Sequence, residues 1–314
     1  MRVILPDSIF DGRIPALQIF RLLNFACARR HRVLAERGAA FGAWRASRSQ
    51  DDQELYDEAL HASEELEARE PSDSEIRVGD GGVAINEALE RLDRPFLVFM
   101  ENSESDRTFL EAVAATPYRK RLQEMYRKGW LTYSSLGGVS YIRAMITSML
   151  KEFPSDAPRM FAIFDSDAPA PREPGSEPSK VAAFCEVQGV SYRMLKRRES
   201  ENYLTCNALK DWSSRQSQPG VMQERVELLY GEWFSERIER RHHFDMKKGF
   251  KKMSSLHSIY GQVPPHVVSR LHNGFGSEVK QAFGLGEIRE FDLRAEGAWD
   301  ELSEVIEALV RSMR

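Results

Sequence analysis

From residue 95 onward the chain alternates short apolar runs with amphipathic segments, and few architectures accept that rhythm. The runs are 96–100 (FLVFM), 130–133 (WLTY), 160–164 (MFAIF) and 190–195 (VSYRML). Runs of strand length separated by helix-length segments read as strands joined by crossovers, which lays them side by side in parallel. One crossover is legible by itself: Val139, Ile142, Met145, Ile146 and Met149 fall on one face of a helix over 139–150. The expected fold class is α/β, with a mostly parallel sheet flanked by helices.

The flanks read as helical additions. In residues 1–94, Ile19, Phe20, Leu22, Leu23, Phe25 and Ala26 recur at near-helical spacing between 16 and about 34, and a second helix is expected over 52–68. Turn signals at 71–74 (PSDS) and 79–82 (GDGG) and a short helix over 85–92 complete an accessory region and linker. The core is placed at 95–205. Residues 206–314 form a mainly helical C-terminal region, closing on an amphipathic helix with Trp299, Leu302, Val305, Ile306, Leu309 and Val310 on one face.

Composition narrows the function classes. With 314 residues, 42% of them hydrophobic, the chain can fill a sizeable core. No stretch approaches the roughly 20 apolar residues of a membrane span, and the N-terminus lacks a signal pattern, so a cytoplasmic protein without a membrane partner is expected. Cys27, Cys185 and Cys206 are far apart and suit neither a disulfide framework nor a zinc site. The net charge of −4 hides a polarity: eleven acids against one arginine over 51–75, and seven Lys/Arg against two acids over 237–252. There is no GxxxxGK[ST] motif, so any nucleotide hydrolysis that controls this chain belongs to a separate ATPase.

Acidic residues follow three of the apolar runs. Glu101 directly follows the first, with Glu104 and Asp106 in the next turn; the same acids also suit a helix N-terminus. Asp165 and Asp167 follow the third, ahead of a proline-rich loop, and hard oxygen ligands two residues apart suit Mg²⁺ or Mn²⁺. The stretch 196–204 (KRRESENYL) follows the fourth and carries Glu201. If the sheet is parallel, all three groups gather at its carboxyl edge, where α/β proteins bind ligands.

The segments FLVFMENSESDRTFL, FAIFDSDAP and LKRRESENYL resemble, in order and spacing, the TOPRIM domains of OLD-family nucleases and of stand-alone TOPRIM effectors in bacterial anti-phage defence. The resemblance covers about 95–205, with an echo at HHFDMKKGFKK. It implies a Rossmann-like TOPRIM core and a metal set of Glu101, Asp165 and Asp167 with Glu104 or Asp106. The family's Glu-Gly is Glu101-Asn102 here, and Asp106 stands five residues on, not four, so the choice between Glu104 and Asp106 stays open. Glu201 and Lys248 match the family's glutamate before Asn-Tyr and its downstream lysine.

The implied activity is phosphodiester hydrolysis of DNA or RNA with two Mg²⁺ or Mn²⁺ ions, which divide activation of water and charge neutralisation between them. Glu101, Asp165, Asp167, Glu201 and Lys248 are the expected catalytic residues. Lys196, Arg198, Lys247 and Lys251 are expected to contact the nucleic acid, and the run 237–252 with Phe244 and Phe250 to meet its backbone, unless that run is a solvated helix face. The adjacent His242 and His243 are assigned to the same basic face. The expected partner is a separate ABC-type or related ATPase that restrains a toxin-like effector, with room for a homodimer. The competing expectation is a catalytically idle TOPRIM fold acting as a binding or scaffold subunit.

Overall fold

The computed structural model describes residues 1–72, 74–80, 82–251, 257–285 and 288–313. Asp73 and Gly81 of the turn signals and Lys252 of the basic run lie outside the described residues. The fold is α/β, with two mostly parallel sheets flanked by helices in a Rossmann-like layout. The chain divides into two compact units, Met1–Phe96 with the residues from Val310 on, and Leu97–Leu309.

The first unit corrects the expectation of a purely helical N-terminal region. Strands β1 (Arg2–Leu5), β2 (Arg32–Ala35) and β3 (Glu75–Arg77) form a sheet ordered β2-β1-β3, with β1 parallel to both neighbours. Around it stand α1 (Ala16–Cys27), α2 (Ala39–Ala46), α3 (Gln50–Arg69) and α4 (Ile85–Asp93). The strands are three or four residues long and begin or end on charge, so no alternation announces them. Pairing supplies what the local sequence lacks: Arg2 lies beside both Arg32 and Glu75, and buried Glu67 of α3 takes the Arg32 guanidinium at 2.9 Å. Val3, Leu5, Val33, Leu22 and Leu60 close the core beneath.

The second unit holds the sheet that the apolar runs announce. Its strands are β4 (Phe96–Phe99), β5 (Leu131–Ser134), β6 (Met160–Phe164) and β7 (Ser191–Met194), ordered β5-β4-β6-β7. The pairs β4–β6 and β6–β7 are parallel. All five residues of β6 are buried, as a central strand covered on both faces requires, whereas edge strand β7 alternates exposed and half-buried. Helices α5 (Ser103–Val113) and α6 (Thr116–Arg127) connect β4 to β5, and α7 (Ser140–Glu152) and α8 (Ser176–Gln188) flank β6 in sequence. The expected crossover is α7: Ile142, Met145 and Ile146 pack with Phe164, Val181 and Cys185, each large apolar side chain contributing about 1.5–3 kcal/mol.

After β7 the described residues contain helices only, among them α9 (Cys206–Ser214), α10 (Pro219–Leu229) and the helix Trp299–Ser312. The segment around 240 is not a solvated basic face. Arg240 is buried and donates from Nε to Ile259 O at 2.6 Å and from Nη1 to Trp233 O at 2.6 Å. Phe234, Phe244, Phe250 and Tyr260 stack edge to face around it and are likewise buried.

Two glycines let the chain cross itself beside this cluster. Gly249 and Gly274 both have positive φ, and their backbones touch: Phe275 N–H donates to Met246 O at 2.7 Å and Gly276 N–H to Lys247 O at 3.0 Å. A Cβ on Gly274 would stand 2.6 Å from Gly249 N and 2.7 Å from Met246 O. Gly274→Ala is therefore expected to cost at least about 2 kcal/mol in urea unfolding. Gly276→Ala, also at positive φ but with open space around its Cβ, should lose only about 1 kcal/mol. Equal losses would mean that the crossing yields and only the dihedral matters.

Candidate metal centre

The strand order decides which residues meet. From β4 the chain runs to β5 on one side and then to β6 on the other, so the crevice between the carboxyl ends of β4 and β6 is a topological switch point. Glu101 lies two residues past β4, Asp165 directly follows β6, and Glu199 and Glu201 lie on the turn after β7. Asp165 N–H donates to Glu101 Oε1 at 3.1 Å, and Ser200 N–H donates to Asp165 Oδ1 at 2.8 Å. Three strand ends are thus tied together through their acids.

Asp106 joins this group and Glu104 does not. Asn102 caps α5 by accepting from Ser105 N–H at 3.2 Å, and Asn102 N–H donates to Asp106 Oδ2 at 2.8 Å. That closed turn directs Asp106 inward, where it raises the pKa of both Glu101 and Asp165. Glu104 is exposed on the outer side of the same turn. Asp167 is held by its backbone: it adopts φ +51° and its N–H donates to Arg198 O at 2.8 Å, a conformation aspartate tolerates better than most residues.

Proximity and dryness act together on these acids. Burial first, and then Asp167 and Asp106, push Glu101 up to about 7. Burial, Glu101 and Glu201 hold Asp165 well above the usual carboxylate range. Asp106 and Asp167 are raised as well, each by burial foremost. The set therefore favours any cation that restores its charge.

The chain supplies such cations itself: Lys247 favours the ionised forms of Glu101, Asp106, Asp165 and Asp167, and Arg198 and Lys248 favour that of Asp167. Lys247 Nζ lies 3.0 Å from Glu199 Oε2 and 2.9 Å from Glu201 Oε1. Burial opposes its charge, yet Glu199, Glu201 and Asp165 together hold the ammonium above the usual lysine range. Glu199 also accepts from Met246 N–H at 2.6 Å, and burial pushes its carboxyl up to about 7 despite Lys247. Asn202 accepts from Glu199 N–H at 3.0 Å and donates to Arg241 O and Phe244 O at 2.9 and 3.0 Å, locking this turn to the segment that carries Lys247.

The expected site residues separate on this geometry. Glu101, Asp106, Asp165, Asp167 and Glu201 converge. Lys247, expected on nucleic acid, is committed to the carboxylates, while Lys248 is exposed, its N–H donates to Asp245 Oδ1 at 2.7 Å and its charge favours ionised Asp167. Arg198 pairs with Asp245 at 3.2 Å, and Lys196 and Lys251 are exposed. Phe244 and Phe250 are buried among other rings and unavailable for stacking. His242 and His243 do not belong to a basic face: burial, Arg197 and Arg241 push His242 down to about 3, and buried His243 donates from Nδ1–H to Ala168 O at 3.0 Å. Sequence reasoning missed Glu199; its place two residues before Glu201, after the same apolar run, was the available signal.

A divalent cation fits the chemistry of this donor set: carboxylates only, hard oxygens, desolvated and mutually repelling. Among the described residues, however, no three acidic, imidazole or thiolate side chains stand in a ready-made metal cage. Metal binding at this centre requires side-chain rotation, with Lys247 the group already serving Glu199 and Glu201.

These shifts set a pH dependence. Folded Glu101 titrates at about 7 against an ordinary 4.5, so between those values the native state keeps a proton that the unfolded chain has released. Its contribution to stability is present below pH 4.5 and lost as pH rises toward 7. Urea midpoints in EDTA should fall across that window, Glu101→Gln should flatten the fall, and Mg²⁺ should restore more stability at pH 8 than at pH 6. A midpoint that climbs from pH 4.5 to 7 in EDTA would contradict the desolvated cluster.

Comparison of the chain with protein-family models, with curated proteins and with solved structures gives no match.

Proposed function

We propose that the second unit is a TOPRIM-type nuclease core that hydrolyses phosphodiester bonds of DNA or RNA with Mg²⁺ or Mn²⁺. The observation that carries this reading is the convergence of Glu101, Asp106, Asp165, Asp167 and Glu201 at adjoining carboxyl ends of parallel strands, with Lys247 beside them. Glu101, Asp106, Asp165 and Asp167 would hold the ions. Bound there, divalent ions would supply a water of lowered pKa and charge for the phosphoryl oxygens.

The chain's own groups have separate tasks. Asp165 accepts from Ser200 N–H and donates its own N–H to Glu101, which ties the third strand end and Glu101 to the loop after β6. Glu201, held by Ser200 Oγ at 3.2 Å and by Lys247, orients toward the group from the third strand end. Lys247 would offer its ammonium to the phosphate, the part the resemblance gives to Lys248, if a bound ion took over the charge of Glu199 or Glu201. Exposed Lys248, Lys251 and Lys196 steer the polyanion at longer range. The resemblance to defence effectors supports control by a separate ATPase, which would have to supply any nucleotide hydrolysis because this sequence has no P-loop motif.

A second reading, an idle TOPRIM fold that binds without cleaving, draws on the lack of a formed metal cage among the described residues. The two readings differ in one measurement. Asp165→Asn should abolish Mn²⁺-dependent cleavage of plasmid DNA or total RNA by at least about 100-fold while leaving the metal-free protein as stable or more so, because it removes a repelled, buried charge. Asp106→Ala should be similarly inactive and Glu104→Ala near wild type. Full cleavage by folded Asp165→Asn would overturn the assignment, and metal binding without cleavage by the wild type would favour the idle fold.

A further inference from the structure

Behind the loop that carries Asp165 and Asp167 lies a cavity of about 460 Å³ that the acidic centre does not use. Ser166 and Ala168 line it, while Asp165, Asp167, Glu101, Glu199, Glu201 and Lys247 do not. Its walls are fastened to one another: Ser166 Oγ donates to Arg197 O at 2.8 Å, Arg198 N–H to His242 O at 3.0 Å, and His243 Nδ1 lies 3.0 Å from Ala168 O. The cavity is preformed, and within the size range of small-molecule sites.

Its lining has a specific chemical balance. Arg172 and Lys196 are exposed there and, among the described residues, neither side chain has an ion-pair partner. Two of the three lining carboxylates are engaged: Glu173 by His257 at 3.1 Å, and Glu301 by Lys196 N–H at 2.7 Å and Tyr203 OH at 2.6 Å. Glu239 is left without an ion pair or side-chain hydrogen bond among the described residues. His242, another lining residue, has its Nε2 shielded from solvent with no partner among the described residues. Pro171, Pro174 and Met194 add apolar surface.

Two free cations, one free carboxylate and an apolar floor together match one class of ligand. We propose that this cavity binds a nucleoside monophosphate whose base carries an exocyclic amine. The phosphate lies against Arg172 and Lys196, the amine donates to Glu239, and the base lies on Pro171 and Met194. The ligand is either a free nucleotide or the phosphorylated terminal nucleotide of a strand. Only the second source rests on the nuclease reading.

The test is calorimetric titration of the full chain in EDTA, where nothing is cleaved, with GMP, CMP, UMP, guanosine and inorganic phosphate. GMP or CMP should bind at least about tenfold more tightly than UMP and than inorganic phosphate. Arg172→Glu with Lys196→Glu should abolish that binding, Glu239→Gln should erase the preference over UMP, and Asp165→Asn should leave it intact. A 5′-phosphorylated dinucleotide that binds as GMP does identifies a strand end as the source, and binding of mononucleotides alone identifies the free nucleotide. No binding of any nucleotide, binding indifferent to the Arg172 and Lys196 changes, phosphate as good as GMP, or loss in Asp165→Asn alone would each overturn the proposal. A chain that binds GMP but cleaves nothing in Mn²⁺ keeps this site and loses the nuclease.

Discussion

Carboxylates gathered at one dry edge of a sheet repel one another, and the second unit is organised around containing that repulsion. Lys247 is the internal counter-charge, reaching Glu199 and Glu201 at about 3 Å and lowering the cost of ionising Asp165. It compensates only part of the charge: Glu101 and Asp165 stay above the carboxylate range. A centre left short of positive charge is a poor structural element and a good receptor for a cation.

Everything that places Lys247 is therefore part of the centre, although much of it lies far away in sequence. The Gly249–Gly274 crossing fixes the backbone after Lys247, and Asn202 ties the Glu199 turn to the carbonyls of Arg241 and Phe244. Arg240 and the rings of Phe244, Phe250 and Tyr260 form the block on which that segment rests. Within this run rich in Lys and Arg, Arg240 thus acts as scaffold, its guanidinium satisfying interior carbonyls, and buried Arg241 pairs with Glu296.

Legibility followed chain locality. The apolar runs at 96–100 and 160–164 are real strands because continuous burial needs only neighbouring residues to declare it, and the 3.6-residue spacing of Ile142, Met145 and Ile146 declared α7 in the same way. The N-terminal strands stayed hidden because four-residue segments such as RVIL and RVLA become strands only by pairing with partners at least thirty positions away. Glu104 and Asp106 could not be separated in sequence since both suit the first turn of α5; the cap at Asn102 sends one inward and leaves the other in water.

The sequence by itself determined the α/β class of the core, the positions of its apolar strands and the residue types at their ends, since periodicity and composition are properties of short stretches. It also placed Glu101, Asp165, Asp167 and Glu201 as the acids to watch. Tertiary structure alone decided that β4, β6 and β7 are neighbours, that Asp106 and Glu199 belong to the group, and that Lys247, not Lys248, forms the ion pairs with Glu199 and Glu201. Two adjacent lysines are equivalent to any local rule; they differ only in which side of a folded backbone each one leaves, and that is set by contacts with residues 199–202 and 271–276, some fifty and twenty-five positions away.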